Sequence, residues 1–492
     1  MASLVTETVG RDKAVPGSDF IASLPHHLLL DILSYLDCKS LVETNRCSSS
    51  MCVLSRCLIT RMPEWKTVCA ESEEKFLDGS VVKKTIVEEV FPRTNSFPNL
   101  GFLFAQAAGV KDMEQVASAL PRQAVVIGAA SESLAFATAC TDGGKCFETD
   151  YRGGGGKAEF TLSLANLPDT TRVGFHIPCS DMEDSDAAVK LVPDYTGDDE
   201  EGWKVIVVLY GGSGSGLDEF ISSLQKKYPG SQIVGGIVPS RSPSMFLAQS
   251  GTLQTFSEGL LGVAIGGATV FSSQVSRACK PLSTVVTIAE SNGPLLRSVL
   301  DDGVERPALN FLSDHFHSAM FSPFVGLSSS LKEGFTLHSV RGTTPDQNVV
   351  LTTDELKKGD FLQVFMLDPE STKEDLRERL AAAKRACFQQ SKQALGGLLF
   401  TCAGRGKGFY GSKDVESKVF ADAMPGAGLS GMFAGGEIGP EALAALPVDS
   451  TFRKSAQIQG FTAVFGVFFV PKFQRPTGKI VDDALASRSF HF

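Results

Sequence analysis

The chain has 492 residues, of which 43% are hydrophobic, with 34 Phe and a formal net charge of -10. That length supports two to four domains with sizeable cores, and an acidic chain with no basic stripe excludes nucleic acid as its main partner. The 11 cysteines and a polar first 18 residues without an apolar leader point to reduced thiols in the cytoplasm or nucleus. The most apolar runs, 259–271 and 460–470, fall short of the ~20 residues a membrane span needs.

Taken in order, residues 1–18 read as a disordered tail. Residues 19–66 carry helical periodicity. Ser23 caps a first helix and Pro25 is tolerated in its first turn. Leu24, Leu28, Ile32 and Tyr35 form one apolar stripe, and Leu29, Leu33 and Leu36 its neighbour. Asp37-Cys38-Lys39 ends that helix, and Ser40-Leu41-Val42-Glu43 is a capping box for the next. A hairpin of ~45 residues cannot bury so much Leu and Ile alone, so the face needs a partner. Cys47, Cys52 and Cys57 recur every five residues, which is not zinc spacing; no metal site is expected.

Residues 67–90 read as a helix leading into a strand. Beyond 90 glycine becomes frequent. Strands are expected over 124–128, 204–210, 232–238, 260–265, 361–366, 397–402 and 461–470. Helices are expected over 113–119, 217–227, 295–300, 372–390 and 415–421. The segment 180–202 holds nine acidic residues against one lysine, Lys190, and reads as a solvated insertion. The body repeats a plan of strand, Gly turn, helix, Gly-Gly turn and closing strand. It runs first from Val205 through Gly211-Gly212 and Gly235-Gly236 to Gly259, and again from Gly397 through Cys402 and Gly435-Gly436 to Gly460.

The Gly turns hold the candidate site. Gly211, Gly212, Gly404 and Gly406 lie in tight turns, and backbone N–H groups there are also able to cradle an anion, with Arg405 or Lys407 adding charge. Neither turn has Walker or dinucleotide-fingerprint spacing, so no cofactor is expected. Glu437, after Gly436, offers a carboxylate for an amine or a buried Arg. Cys402 ends a strand, but no His pattern pairs with it and no nucleophile elbow is present, so a non-catalytic protein is expected.

The run Leu24-Pro25-x-x-Leu28-Leu29-x-x-Ile32-Leu33-Ser34-Tyr35-Leu36, continuing to Ser40-Leu41, resembles the F-box motif. The resemblance implies docking on a Skp1-type adaptor through Leu24, Pro25, Leu28, Leu29, Ile32, Leu33, Tyr35, Leu36 and Leu41, and through it on a cullin-RING module. His27 departs from the acidic residue usual there, and Cys47, Ser48 and Met51 replace the later Val-Cys and Trp positions. The strand into Cys402-x-Gly404-Arg405-Gly406 and the run Gly436-Glu437-Ile438-Gly439-Pro440 resemble the C-terminal half of the FIST family of sensory domains; Gly211-Gly212, Gly235-Gly236-Ile237 and Gly259-Leu260-Leu261-Gly262 resemble its N-terminal half. The fold expected is α+β: a small all-helical F-box at 19–66, then a two-half α/β FIST body with an internal pseudo-repeat. Its halves span 90–290 and 291–472, and 473–492 is a tail. The function implied is substrate recognition in a Skp1-cullin-F-box ubiquitin ligase, with the alternative of a sensor for amino-acid-like ligands.

Overall fold

The computed structural model describes residues 63–93, 96–131, 136–138, 146–148, 158–197, 202–212, 216–239, 244–277, 279–316, 324–331, 335–353, 356–388, 392–441 and 455–471. The expected tails, most of the 19–66 module and all nine of its adaptor-docking residues lie outside these. One β-plan occurs three times among them. Each unit has an outer strand, a central strand, a strand parallel to the centre, a short hairpin and a closing strand antiparallel to the centre. In the first unit the outer, central, parallel and closing strands are Glu64–Ser72, Leu100–Gln106, Val125–Ser131 and Ala158–Asn166. In the second they are Thr170–Ile177, Trp203–Gly211, Gln232–Ile237 and Gly259–Gly267. In the third they are Val270–Arg277, Lys392–Cys402, Gly428–Ala434 and Thr462–Pro471.

The hairpins are exchanged cyclically. The first unit's strand Phe136–Thr138 pairs with Gly428–Ala434 of the third. The second unit's Ser244–Gln249 pairs with Val125–Ser131 of the first. The third unit's Glu437–Pro440 pairs with Gln232–Ile237 of the second. Three six-stranded sheets result, each completed by a hairpin from another unit. Their inner faces share one core in which Phe102, Ile127, Val207, Val234, Phe400 and Phe468 are buried together. Helices cover the outer faces: Gly79–Thr85 and Glu114–Ala119 on the first sheet, Ser185–Lys190 and Leu217–Lys227 on the second, Pro369–Phe388 and Val415–Ala423 on the third.

One glycine marks the plan in every unit. Gly128 pairs with Leu103, Gly235 with Val208 and Gly431 with Leu399. A Cβ at these three positions would lie 2.0, 1.8 and 2.0 Å from the carbonyl oxygen of that partner. Side chains are therefore excluded where parallel and central strands approach most closely.

Between the third unit's outer and central strands the chain builds a closed antiparallel barrel. Its ring runs Val286–Asn292, Leu295–Asp301, Val349–Leu351, Thr336–Thr343, Phe324–Ser328 and Phe361–Leu367, and back to the first. Phe311 and Leu312 of the helix Ala308–Phe316 are buried with Val299, Val325 and Val364 of the barrel.

The fold-class expectation needs correction. Half of the described residues, 50%, are in strands and 25% in helices, so the body is mostly β. No small all-helical N-terminal module stands among the described residues. The strand over 295–301 was expected as a helix, but Leu296 and Ser298 are buried while Arg297 is exposed, a period of two. Glu64–Ser72 is a strand where helix was expected to come first. Its Trp65 is buried 5.2 Å, centroid to centroid, from Phe468, and Gly396 and Gly428 leave the room its indole occupies. The two-copy repeat is the second and third of three units. In the acidic stretch the described carboxylates are exposed, Asp184 caps the helix Ser185–Lys190 by accepting from the Ala187 N–H, and Ala188 and Val189 are buried.

Candidate functional site

The strand Lys392–Cys402 is buried from Leu395 to Thr401, and the chain then folds into a tight turn, Ala403–Arg405. That turn points Arg405 inward, leaving it 1% exposed. Its Nε donates to Glu416 Oε1 at 2.7 Å, Nη2 to the Tyr410 hydroxyl at 3.0 Å and Nη1 to the Ser276 carbonyl at 2.8 Å. The Tyr410 hydroxyl donates to the same Glu416 oxygen at 2.7 Å. Burial opposes the charge on Arg405, but Glu416 and Tyr410 outweigh it and hold the guanidinium ionised. Arg405 therefore spends its charge on partners inside the protein and not on an anion held by the Gly turn.

Glu437 opens the exchanged strand Glu437–Pro440 and is 0% exposed. Its Oε2 accepts from the Thr462 hydroxyl at 2.8 Å and the Thr462 N–H at 3.1 Å, while Oε1 has no partner among the described residues. Burial pushes its pKa up to about 8, against the hydrogen bonds from Thr462. Cys402, also largely shut off, is pushed up to about 11 by burial and by the charge of Glu437. At neutral pH this thiol is protonated, the opposite of an activated nucleophile.

The first unit closes the cluster. Glu148, on its exchanged hairpin, accepts from the Ser417 N–H at 2.8 Å in the first turn of Val415–Ala423. Its pKa is raised to about 7 by burial and then by Glu416. A carboxylate from one unit thus completes the helix end of another.

The structure brings Cys402, Arg405 and Glu437 into one electrostatic neighbourhood, with Gly404 against the Cys402 sulfur at 3.7 Å from where its Cβ would stand. Gly406 begins the short helix Lys407–Tyr410 as its cap. Gly436 is buried, next to the exposed Gly435, and its carbonyl accepts from the Ile237 N–H at 2.9 Å. Gly211 and Gly212 end the second unit's central strand, where the Gly211 carbonyl faces the Cys179 sulfur at 3.7 Å. Glu148, Tyr410, Glu416 and Thr462 were not anticipated. Tyr410 and Glu416 stand five and eleven residues beyond Arg405 in no motif spacing, and exchanged hairpins carry Glu148 to Ser417 and Glu437 to Thr462.

Beside this cluster a cavity of about 350 Å³ lies between the barrel and the three-sheet body, lined by residues that include Arg277, Cys279, Phe324, Thr336, Leu337 and Phe461. The turn Gly460-Phe461-Thr462 joins the two: Phe461 lines the cavity and Thr462 holds Glu437. Among the described residues no group of three or more His, Cys, Asp or Glu is placed to hold a metal ion, and no helix is long and apolar enough to cross a membrane.

Residues 99–299 match the FIST N domain and residues 295–440 the FIST C domain. The chain carries both halves of a FIST body. The FIST C match begins within the barrel and takes in the Arg405 turn and Glu437. An uncharacterized protein of Mycobacterium tuberculosis is 28% identical over 239 residues, 45% of this chain and 60% of the relative. One of Mycobacterium bovis is 26% identical over 257 residues, 49% of this chain and 61% of the relative. An F-box/LRR-repeat protein of Arabidopsis thaliana is 26% identical over 149 residues, 30% of this chain and 27% of the relative. The chain spans about 60% of the length of the mycobacterial relatives.

Proposed function

We propose that this protein is the substrate-recognition subunit of a Skp1-cullin-F-box ubiquitin ligase, in which the 19–66 segment docks on a Skp1-type adaptor and the FIST body binds the protein substrate. The observation that carries it is the double apolar stripe from Leu24 to Leu36 with the Ser40 capping box, more apolar surface than so short a hairpin buries. The likeness to an F-box/LRR-repeat protein supports it. So does the anchoring of Trp65 in the FIST core, which ties the chain at the module's end to the rigid body that would present a substrate. The adaptor would connect the chain to a cullin-RING module, in the cytoplasm or nucleus, and the chain itself would supply no catalytic group. Co-purification with Skp1 from cells is the test: Leu24→Ala with Pro25→Ala abolishes capture while leaving the thermal transition of the FIST body in place. Capture that survives the double substitution sinks the reading.

A second reading is small-molecule sensing by the FIST body. The cavity at the barrel seam favours it, since about 350 Å³ is the lower range of small-ligand pockets, ~300–1,000 Å³. A thermal-shift screen with amino acids and other metabolites tests it; no shift from any of them at millimolar concentration removes it.

A further inference from the structure

Arg277 ends the third unit's outer strand, Val270–Arg277, and lines the seam cavity. Its Nε is sealed from solvent and has no hydrogen-bond partner among the described residues. No carboxylate among the described residues lies within ion-pair distance of it. Cys279 and Glu441 favour its charge without an ion pair to it among the described residues, and Arg379, which opposes it from Pro369–Phe388, is itself paired with Asp375 at 2.7 Å. Burial opposes its charge, so an anion in the cavity would relieve a cost the fold now carries. This contrasts with Arg405 nearby, whose donors are taken.

The other walls select the kind of anion. Phe324, Leu337, Leu367, Ile458 and Phe461 give an apolar surface, and no Asp or Glu is among the described residues lining the cavity. An ammonium group therefore finds no counter-charge there. A planar guanidinium pairs bidentately with a carboxylate as it does with a phosphate, but Arg277 is the one Lys or Arg among the described lining residues, so its single charge balances a carboxylate monoanion and leaves a phosphate dianion uncompensated. Phe461 is held at φ 55°, a strained conformation that places its ring 5.1 Å from that of Phe324 on the cavity wall.

We propose that the seam cavity binds a small organic carboxylate, with its head on the Arg277 guanidinium and its apolar body against Phe324, Leu337 and Phe461. The proposal deepens the sensing reading and is independent of adaptor docking: loss of Skp1 capture leaves it untouched, and an empty cavity leaves the docking reading standing.

The test is calorimetry on the full chain with phenylacetate, 2-phenylethanol, 2-phenylethylamine and inorganic phosphate. Phenylacetate binds at least about tenfold more tightly than the alcohol, the worth of one charge-assisted hydrogen bond. The amine does not bind, and phosphate does not displace phenylacetate. Arg277→Met loses binding and Arg277→Lys keeps part of it. Thr336→Phe, which fills the cavity without touching the charge, also loses binding and decides the matter if Arg277→Met does not fold. Equal affinity for acid and alcohol, displacement by phosphate, binding unchanged in the folded variants, or no phenylacetate binding at millimolar concentration each overturns the proposal.

Discussion

Replacing Glu416 by Gln tests whether the core of the FIST C half is held by one buried charge pair. Arg405 and Glu416 have side chains 1% and 3% exposed, with nitrogen and oxygen 2.7 Å apart. In the variant the guanidinium stays ionised but faces only an amide, the Tyr410 hydroxyl and backbone carbonyls. Breaking a buried pair from one side costs ~3–5 kcal/mol, a large share of the ~5–15 kcal/mol that separates folded from unfolded domains. Arg405→Met leaves the opposite charge stranded and costs a similar amount. The double variant Arg405→Met, Glu416→Gln strands neither, so its loss falls short of the sum of the single losses by up to ~3 kcal/mol. Urea unfolding at pH 7 reads the cycle through tryptophan fluorescence, since Trp65 and Trp203 are both buried in the body. A loss below ~1 kcal/mol for Glu416→Gln, within the range of an exposed pair, would refute the reasoning, as would strict additivity in the double variant.

The raised carboxyls set a pH dependence. Glu437, ordinarily near 4.5, is raised to about 8, and Glu148 to about 7. Between those values the folded state holds protons the unfolded state has released, so stability is greatest below pH 4.5 for these groups and falls as pH rises through 7 to 8. Glu437→Gln removes its share of that slope, and urea midpoints from pH 5 to pH 8.5 should show the variant flatter than the parent; parallel curves would count against a buried, protonated Glu437. Gly128→Ala, Gly235→Ala and Gly431→Ala should each cost about 1–3 kcal/mol or more by overpacking against a carbonyl oxygen, and to a similar degree. Gly408→Ala, with open space at its Cβ, should be neutral or stabilising by up to ~1 kcal/mol; three unequal losses in thermal melts would argue that the units are not equivalent. Cys402 should alkylate slowly with iodoacetamide at pH 7 because its pKa is about 11, and rapid labelling of its peptide by mass spectrometry would contradict the protonated thiol.

Much of the second and third units is readable along the chain. The runs around Val207 and Leu399 are continuous, apolar and bounded by glycine, so central strands announce themselves, and Leu217–Lys227 has an amphipathic pattern that matches its observed limits. The first unit is less legible, because Leu100–Gln106 carries no turn signal comparable to Gly211-Gly212. Phe361–Leu367 of the barrel is apolar and legible as a strand, but Thr336–Thr343 is half-exposed with Arg341 and Leu295–Asp301 carries Arg297 and Asp301; such sequences resemble loops or helices until partners on both sides pair them. That is why the full strand content and the third repeat are not legible along the chain.

The sequence by itself determined that the β-branched and aromatic runs of the central strands would be forced inward, and it placed Arg405 and Glu437 in constrained turns. Only the tertiary structure decided what those two charges meet. Glu437 arrives in the second sheet on a hairpin from the third unit, and Glu148 reaches the helix beginning at Val415 on a hairpin from the first. Local periodicity reports the face a residue turns to the core. It carries no record of which distant strand will share that core, because pairing across a cyclic exchange depends on backbone hydrogen bonds that every sequence offers alike.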